Sequence, residues 1–440
     1  PALVVTGACS GLVGTTLDIS GATPGGTVVL VSGDGPGTTP LPSGACAGTP
    51  LGVAGSVGAR ATLVTDAFGA TATARHLPVS ICGSSVQVVD LATCEVSNVA
   101  VLTLPITSLA FADATFTGEE KSDYAGESVS GAGDVNGDGF DDFLVGAVNG
   151  HSTGAGAAYL LLGPISGDID LADAHATLIG EAPGVEAGSS VSGAGDVNGD
   201  GFDDLLIGAD GEWAGGVSAG AAYLMLGPVS GDVSLADAEA KLIGEEALDK
   251  AGRSVSGAGD VNGDGFDDLL VGAFINDAGG FEAGSAYLVL GPVSGGLDLG
   301  ASYAKFAGDG VQDHAGESVS GAGDVDGDGF DDVLIGAHQD NAGGADAGAA
   351  YLVLNPLGGV SSLASADARL TGETAGDEAG QRVSGAGDVN GDGFDDMLVG
   401  SDNEPGGDFA GAVYLVLGPA SGDVDLATAD AKLIGQPYDL

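Results

Sequence analysis

One nine-residue phrase recurs five times in this chain of 440 residues. The intervals between successive copies are 62, 64, 64 and 64 residues. A fixed period of this length indicates repeated supersecondary units, each of which buries its apolar surface against its neighbours. DVNGDGFDD begins at Asp134, Asp196, Asp260 and Asp388, and DVDGDGFDD begins at Asp324.

Each repeat contains four short apolar runs. In the first repeat they are SVSGAGD, DDFLVGA, GAAYLLLG and ATLIGE. The runs are rich in Val, Leu and Ile, are bounded by Gly, Asn, Asp or Pro, and lack a helical period, so we interpret them as strands. Four strands per repeat fit the blade of a β-propeller, and a β-solenoid with shorter rungs is the second choice.

The first hundred residues have a different composition. Residues 1–110 hold five acidic and two basic residues, whereas the remainder holds 58 acidic and eight basic ones. This contrast predicts two domains, residues 1–105 and 106–440. Alternating runs such as LVVTG, ATATARHLPV and VQVVDL predict a small β-sandwich for the first. The predicted fold is therefore all-β, with a small N-terminal β-sandwich followed by a propeller of five four-stranded repeats.

All four cysteines, Cys9, Cys46, Cys82 and Cys94, belong to the first domain. No CxxC pair is present, so disulfides are favoured over a metal site. Of the three possible pairings, Cys9–Cys46 with Cys82–Cys94 is preferred. Disulfides imply an oxidising compartment, and we expect a secreted or cell-surface protein. The chain begins at Pro1 rather than Met, as expected of a processed or excised form.

The charge excludes several classes of function. The chain has 63 acidic and 10 basic residues, a net charge of -53, so a basic patch for nucleic acid or an anionic membrane cannot be assembled. No apolar run approaches the ~18 residues of a transmembrane helix.

The five histidines share no repeat position, and Gly216–Gly220 matches GxSxG without the strand and helix which that motif requires. A propeller hydrolase is therefore the least favoured interpretation, and we expect no enzymatic activity and no catalytic residues.

The recurring phrase has the ligand pattern of a calcium loop. In the first copy, oxygen side chains stand at positions 1, 3, 5 and 9, position 7 offers its carbonyl, and Gly139 permits a sharp turn. Hard oxygen ligands around such a turn suit Ca²⁺. Position 12 is apolar in every copy, which excludes an EF-hand. Asp141 and its counterparts at position 8 alternate away from position 9 and are expected to be solvated.

Residues 111–440 resemble the FG-GAP repeats of integrin α-subunit β-propellers and their bacterial relatives. The resemblance rests on DxNxDGxxD followed by LVGA, although Ala125-Gly126 replaces the family's Phe-Gly and Val148 replaces its Pro. It implies about five structural Ca²⁺ ions, one per loop. The implied ligands are Asp134, Asn136, Asp138, Phe140 and Asp142; Asp196, Asn198, Asp200, Phe202 and Asp204; Asp260, Asn262, Asp264, Phe266 and Asp268; Asp324, Asp326, Asp328, Phe330 and Asp332; and Asp388, Asn390, Asp392, Phe394 and Asp396.

The same resemblance implies adhesion, ligand binding or scaffolding outside the cell, with a protein or glycan partner. Contacts are expected from the variable segments between the second and third strands, where Trp213 and Phe281 are either contact residues or filler packed on their own blade. The variable segments are 150–156, 210–220, 276–284, 338–348 and 402–411.

A second interpretation is a structural subunit of an extracellular filament. A fourth-strand phrase stands both before the first repeat, in LAFADATFTGE, and after the last, in ADAKLIGQPYDL. One of these strands is surplus to a closed ring of five blades. Unpaired strand edges invite pairing with another copy of the chain.

Overall fold

A computed structural model describes the backbone of eight strands within residues 2–101, and residues 114–435 except 152–153, 357 and 404–410. The chain separates into two compact units, Pro1–Ala112 and Asp113–Leu440.

The described strands of the first unit pair in antiparallel fashion. Four of them form one sheet and the other four form two hairpin-like pairs. The cysteines and the run ATATARHLPV lie outside the described residues, so the disulfides and the sandwich stay predictions. The strands are Ala2–Thr6, Thr16–Ser20, Thr27–Gly33, Gly35–Pro40, Pro50–Ala54, Gly58–Val64, Ser85–Asp90 and Ala100–Val101.

The second unit contains the predicted four strands in each of five repeats, which confirms the all-β fold and the repeat. The first strands are Ala125–Gly133, Ala187–Gly195, Ser254–Gly259, Ser318–Gly323 and Ala379–Gly387. The second strands are Asp142–Ala147, Asp204–Ala209, Asp268–Ala273, Asp332–Ala337 and Asp396–Ser401. The third strands are Ala157–Leu161, Ala221–Met225, Ser285–Val289, Ala349–Val353 and Ala412–Val416. The fourth strands are Ala176–Ile179, Ala240–Ile243, Ala304–Ala307, Ala368–Thr371 and Ala431–Ile434, and Ala114–Thr117 is a fourth strand ahead of repeat 1.

A further short strand, absent from the sequence-based prediction, links each repeat to the one before it. It follows the third strand and pairs in parallel with the fourth strand of the preceding repeat, as Gly231–Ser234 does with Ala176–Ile179. Repeats 1–4 thereby form five-stranded sheets, and the described sheet of repeat 5 has four strands. These short strands are Gly167–Asp170, Gly231–Ser234, Gly295–Asp298, Gly359–Ser362 and Gly422–Asp425, each followed by a single 3₁₀ turn at Leu171–Asp173, Leu235–Asp237, Leu299–Ala301, Leu363–Ser365 or Leu426–Thr428.

The second and third strands are buried on both faces in the middle repeats. Asp204–Ala209 and Ala221–Met225 contain only buried residues. Each of these sheets packs against a neighbouring sheet on either side, so its strands are continuous apolar runs rather than alternating ones. This explains why LLIGA and AAYLM carry no outward polar position.

Glycine in the second strand allows neighbouring sheets to approach closely. A Cβ placed on Gly208 would lie 2.0 Å from the carbonyl oxygen of Gly252 in the next repeat. Gly272 has the same relation to Gly316, also at 2.0 Å. The glycine of the LVGA phrase in one repeat therefore contacts the glycine of the Ala-Gly pair near the start of the next repeat.

The first strands of the five repeats lie side by side, and we call this set the hub. Serine hydroxyls link them: Ser128 Oγ accepts the N–H of Val191 at 2.9 Å, and Ser190 Oγ accepts that of Val255 at 3.1 Å. The same bond recurs in the next two junctions. One cavity is lined by residues of all five first strands, which places them around a common axis, as in a β-propeller.

In the part of the chain that the structure describes, there is no helix long and apolar enough to cross a membrane.

Candidate metal centres and the opposite loop face

Position 1 of each loop organises the turn that follows it. The Asp134 carboxylate accepts backbone N–H groups from Gly137 at 2.8 Å, Asp138 at 3.0 Å and Gly139 at 2.8 Å. Gly137 and Gly139 both have positive φ, which glycine adopts without strain. The same three bonds form in the other four loops. The loop is therefore curled around its first carboxylate.

Position 9 closes the loop from inside the protein. Asp268 is fully buried, and its carboxylate accepts the N–H of Val261 at 3.1 Å and of Gly291 at 2.9 Å. Gly291 follows the third strand, so this one carboxylate joins the loop to two strands. Burial raises the pKa of Asp268 to about 7, while the two N–H groups lower it. A cation beside this carboxylate would stabilise its charged form.

The aspartates at position 8 were expected to be solvated, but this holds only for repeat 1. Asp203 Oδ2 accepts the N–H of Asp134 at 2.6 Å, and the N–H of Asp203 donates back to the Asp134 carbonyl at 3.4 Å. Equivalent carboxylate bonds join loops 2 to 3, 3 to 4 and 4 to 5. Asp141, in the first loop, is exposed. The expectation failed because alternation along one strand does not show that a neighbouring repeat supplies a donor.

Position 7 also reaches the preceding loop. A Cβ on Gly137 would lie 2.6 Å from a ring carbon of Phe202. The ring of each later loop therefore covers the glycine turn of the loop before it, and a larger residue at that turn would displace the ring. This contact explains the Phe at position 7, and the bond to the preceding loop explains the Asp at position 8.

The fourth loop brings three carboxylates close together. Oxygens of Asp324, Asp326 and Asp332, at positions 1, 3 and 9, all lie within 4.8 Å of one another. Each carboxylate oxygen has two acceptor lone pairs, so the N–H bonds within the loop leave capacity for a cation. Clustered hard oxygens in a glycine turn fit a divalent cation of the Ca²⁺ type.

The variable segments lie at the other end of the second strands from these loops. Trp213 and Phe281 are 65% and 60% exposed, so neither is filler packed on its own blade. Leu248 and Val217 of repeat 2 are also largely exposed, and the Leu248 N–H donates to the Val217 carbonyl at 2.9 Å. Repeats 2 and 3 thus present apolar side chains at the loop face.

In repeats 2, 3 and 5, the buried tyrosine of the third strand lies beside a lysine and a carboxylate that were not predicted from the sequence. In repeat 3, Lys305 Nζ lies 5.2 Å from the centre of the Tyr287 ring and 2.5 Å from Glu245 Oε2. The Tyr287 hydroxyl donates to the same carboxylate at 3.0 Å. Glu245 follows the fourth strand of repeat 2, so the group joins two blades. The recurrent Tyr column was a usable signal, because a buried hydroxyl requires a partner.

In repeat 4 the cation at the equivalent position is Arg369, and it pairs with a different carboxylate. Its Nη2 lies 2.9 Å from Asp423 Oδ1. Asp309, Asp313 and Asp340 remain together, with carboxylate oxygens within 4.8 Å of one another, and the last two are buried. Burial, with the neighbouring carboxylates, raises the pKa of Asp313 to about 7.

The family model described as FG-GAP repeat matches residues 125–161, 187–225, 251–289, 315–353 and 379–416. Each match covers the first strand, the acidic loop, the second strand, the variable segment and the third strand of one repeat. The five recognised repeats are therefore the five structural repeats.

Curated proteins that resemble the chain include integrin α chains. Integrin alpha-5 of Xenopus laevis is 34% identical over 168 residues, which is 36% of this chain and 15% of that protein. Integrin alpha-PS5 of Drosophila melanogaster is 34% identical over 165 residues, 36% of this chain and 16% of that protein. Integrin alpha pat-2 of Caenorhabditis elegans is 30% identical over 220 residues, 47% of this chain and 17% of that protein. The chain thus spans less than a fifth of the length of these relatives.

Proposed function

Because five segments of this chain match the FG-GAP repeat model and part of the chain is similar to integrin α chains, we propose that it is an extracellular, calcium-stabilised propeller that binds a partner through its variable loop face. Adhesion, ligand binding and scaffolding all use such a surface. The two ends of the strands then have different roles. The uniform acidic loops at one end hold cations, and the variable segments at the other end bind the partner.

The observation that carries the binding role is the exposure of large apolar side chains in repeats 2 and 3. Trp213 and Phe281 lie on separate variable segments, and Leu248 and Val217 of repeat 2 are also largely exposed. Exposed apolar surface bordered by polar residues is typical of a protein-binding site. The net charge of -53 favours a partner that presents basic residues around an apolar centre.

The calcium role is supported by the loop geometry. Five loops share the position-1 turn and the buried position-9 carboxylate, and three carboxylates of loop 4 lie within 4.8 Å. We propose one structural Ca²⁺ per loop, held by side-chain oxygens at positions 1, 3, 5 and 9 and the carbonyl at position 7. The ion would fix the connection between the first and second strands and would not take part in a reaction.

The binding role is tested by capture from extracellular-matrix and cell-surface protein extracts in calcium buffer. Wild type is compared with Trp213→Ser/Phe281→Ser and with the control Val360→Ser, a largely exposed residue of a short parallel strand. We expect a defined set of proteins to bind wild type and the control and to be lost from the double variant. Equal capture by all three proteins would contradict a role for this face, and a glycan array with the same variants tests a sugar ligand.

A second candidate function is self-assembly into a filament. Leu433, in the fourth strand of repeat 5, is 69% exposed, whereas its counterpart Leu178 is fully buried under the next repeat. Val129, in the first strand of repeat 1, is likewise exposed, whereas Val191 is buried. These two faces complement each other as neighbouring repeats do. Sedimentation and electron microscopy of wild type and Leu433→Lys would show oligomers that the variant lacks, and a monomer at all concentrations would refute this alternative.

A further inference from the structure

The cavity at the hub has a volume of about 330 Å³ and lies on the axis of the five repeats. Its lining includes Glu127, Ser189, Arg253, Glu317 and Arg382, all near the start of a first strand. The acidic loops follow the other end of these strands. The cavity is therefore separate from the calcium loops, and an inference about it does not depend on the proposed function.

Two of the charged groups in the cavity neutralise each other. Arg253 Nε lies 3.5 Å from Glu317 Oε1. The other two, Glu127 and Arg382, form no ion pair with any residue within the described ranges. Arg382 donates from Nη1 to the carbonyl of Gln381 at 2.7 Å, which leaves most of its guanidinium donors free. The cavity thus offers one unpaired anion and one unpaired cation.

Arg382 is exceptional among the repeats. Ser128, Ser190, Ser254 and Ser318 stand at the equivalent position, and each accepts an N–H from the following first strand. In repeat 5 an arginine replaces that serine, in a chain that has only 10 basic residues. A guanidinium at the axis is not needed for the link between blades.

A buried polar group in the same cavity also lacks a partner. Ser189 is 7% exposed, and its hydroxyl makes no hydrogen bond to any residue that the structure describes. A buried hydroxyl without a partner is destabilising, so it favours occupancy by a group that can donate or accept a hydrogen bond. The cavity therefore combines an unsatisfied hydroxyl with two unpaired charges of opposite sign.

We propose that this cavity binds a small zwitterion that carries a carboxylate and an ammonium group. The carboxylate pairs with Arg382, which can form two parallel hydrogen bonds to it, and the ammonium pairs with Glu127. Ser189 supplies a further hydrogen bond. A ligand without net charge is not repelled by a protein of charge -53, whereas a simple carboxylate is. The chemical class is an amino acid with its two charged groups separated by a short chain.

The test measures binding of glycine, β-alanine, 4-aminobutanoate and 6-aminohexanoate by titration calorimetry and ligand-observed NMR in buffer of fixed calcium and salt. Butanoate and butylamine are the single-charge controls. We expect one member of the series to bind at least about tenfold more tightly than either control, a difference that one additional charged hydrogen bond supplies. Equal binding of butanoate, equal binding of butylamine, or no binding of any amino acid overturns the proposal.

Matched variants localise the site. Arg382→Ser restores the residue of the other four repeats, and Glu127→Ser introduces the residue that repeat 2 has at that position, so neither change threatens the fold. Each is expected to weaken binding at least about tenfold. Arg369→Ser removes one positive charge from the outer fourth strand of repeat 4 and should leave binding unchanged. Unchanged affinity in both hub variants would also refute the site.

Discussion

The carboxylate of Asp203 accepts the backbone N–H of Asp134 at 2.6 Å, and this bond joins the acidic loops of repeats 1 and 2. Equivalent bonds continue through repeat 5, so the loops form a chain of contacts along one end of the strands. A cation held in one of these loops would therefore also stabilise a contact between blades. Stability and cation binding should be coupled across the repeats for this reason.

Removal of one link in this chain should destabilise the protein. Asp203→Ala leaves the N–H of Asp134 without its acceptor, and we expect a loss of about 1–2 kcal/mol in the free energy of unfolding. Asp141→Ala changes the same repeat position in repeat 1, where the side chain is exposed, and should cost less than about 0.5 kcal/mol. Urea unfolding of the two variants measures the difference, and equal losses would contradict the inter-loop role.

The contact between adjacent sheets predicts a position-dependent effect of one methyl group. A Cβ on Gly208 would lie 2.0 Å from the Gly252 carbonyl oxygen, whereas a Cβ on Gly400 has no described atom nearer than 3.3 Å. Gly208→Ala should therefore force the sheets apart and cost about 2 kcal/mol or more. Gly400→Ala, at the same repeat position, should change stability by less than about 1 kcal/mol. Thermal unfolding of the pair tests this, and similar melting temperatures would show that the sheets can separate freely.

Removal of calcium should lower stability if the loops hold structural ions. We expect EDTA to lower the melting temperature by roughly 5 °C or more, because a ligand that binds only the folded state stabilises it. Excess calcium should restore the melting temperature, and magnesium should restore it less, since Mg²⁺ retains its waters. Differential scanning calorimetry in each buffer provides the measurement. An unchanged transition in EDTA would remove the basis for structural calcium.

The group formed by Lys305, Glu245 and Tyr287 should contribute across a blade boundary. A double-mutant cycle with Lys305→Met and Glu245→Gln should give a coupling energy of about 1–2 kcal/mol, because the lysine is largely buried. The pair Arg369–Asp423 has an exposed carboxylate and should give less than about 1 kcal/mol. A coupling for Lys305 and Glu245 no larger than that of the exposed pair would contradict the assigned role.

The acidic cluster of repeat 4 predicts a pH dependence. The pKa of Asp313 is raised from 3.8 to about 7 in the folded protein, so the folded state binds the proton more tightly than the unfolded state. This carboxyl's contribution to stability is therefore fully present below pH 3.8 and is lost as pH rises to about 7.

Asp313→Asn removes that titration and should gain stability relative to wild type as pH rises from about 4 to 7, by roughly 1 kcal/mol or more. Chemical unfolding across this range at fixed calcium measures the gain. Asp168→Asn, at an exposed position of a short parallel strand, is the control for a lost charge. A gain that does not change with pH would show that Asp313 does not titrate in this range.

The strands and the loops could be predicted from the sequence because the information is local. Val, Leu and Ile between glycine-rich turns define each strand, and the Asp spacing with Gly137 and Gly139 defines the turn around Asp134. Fivefold recurrence strengthened both predictions, and the apolar residues at position 12 excluded an EF-hand, which requires a bidentate Glu there. The repeat also located the variable segments, because their sequences differ among the five repeats whereas the sequences of the flanking strands do not.

The contacts between repeats could not be predicted in the same way. The parallel pairing of Gly231–Ser234 with Ala176–Ile179 involves a four-residue segment without strong strand character. The role of Asp203, the grouping of Lys305 with Glu245, and the displacement of Arg369 each depend on a partner about 50 to 70 residues away, a distance set by stacking and not by local pattern.

The sequence by itself thus determined what each repeat is: four strands, a glycine-bearing acidic loop and a variable segment, all specified by residues close together in the chain. Only the tertiary structure decided how one repeat meets the next. Burial and donor geometry at those junctions depend on the relative placement of two sheets, and identical repeat sequences acquire different environments according to what lies beside them. That is why Asp141 is exposed while Asp203 is bonded.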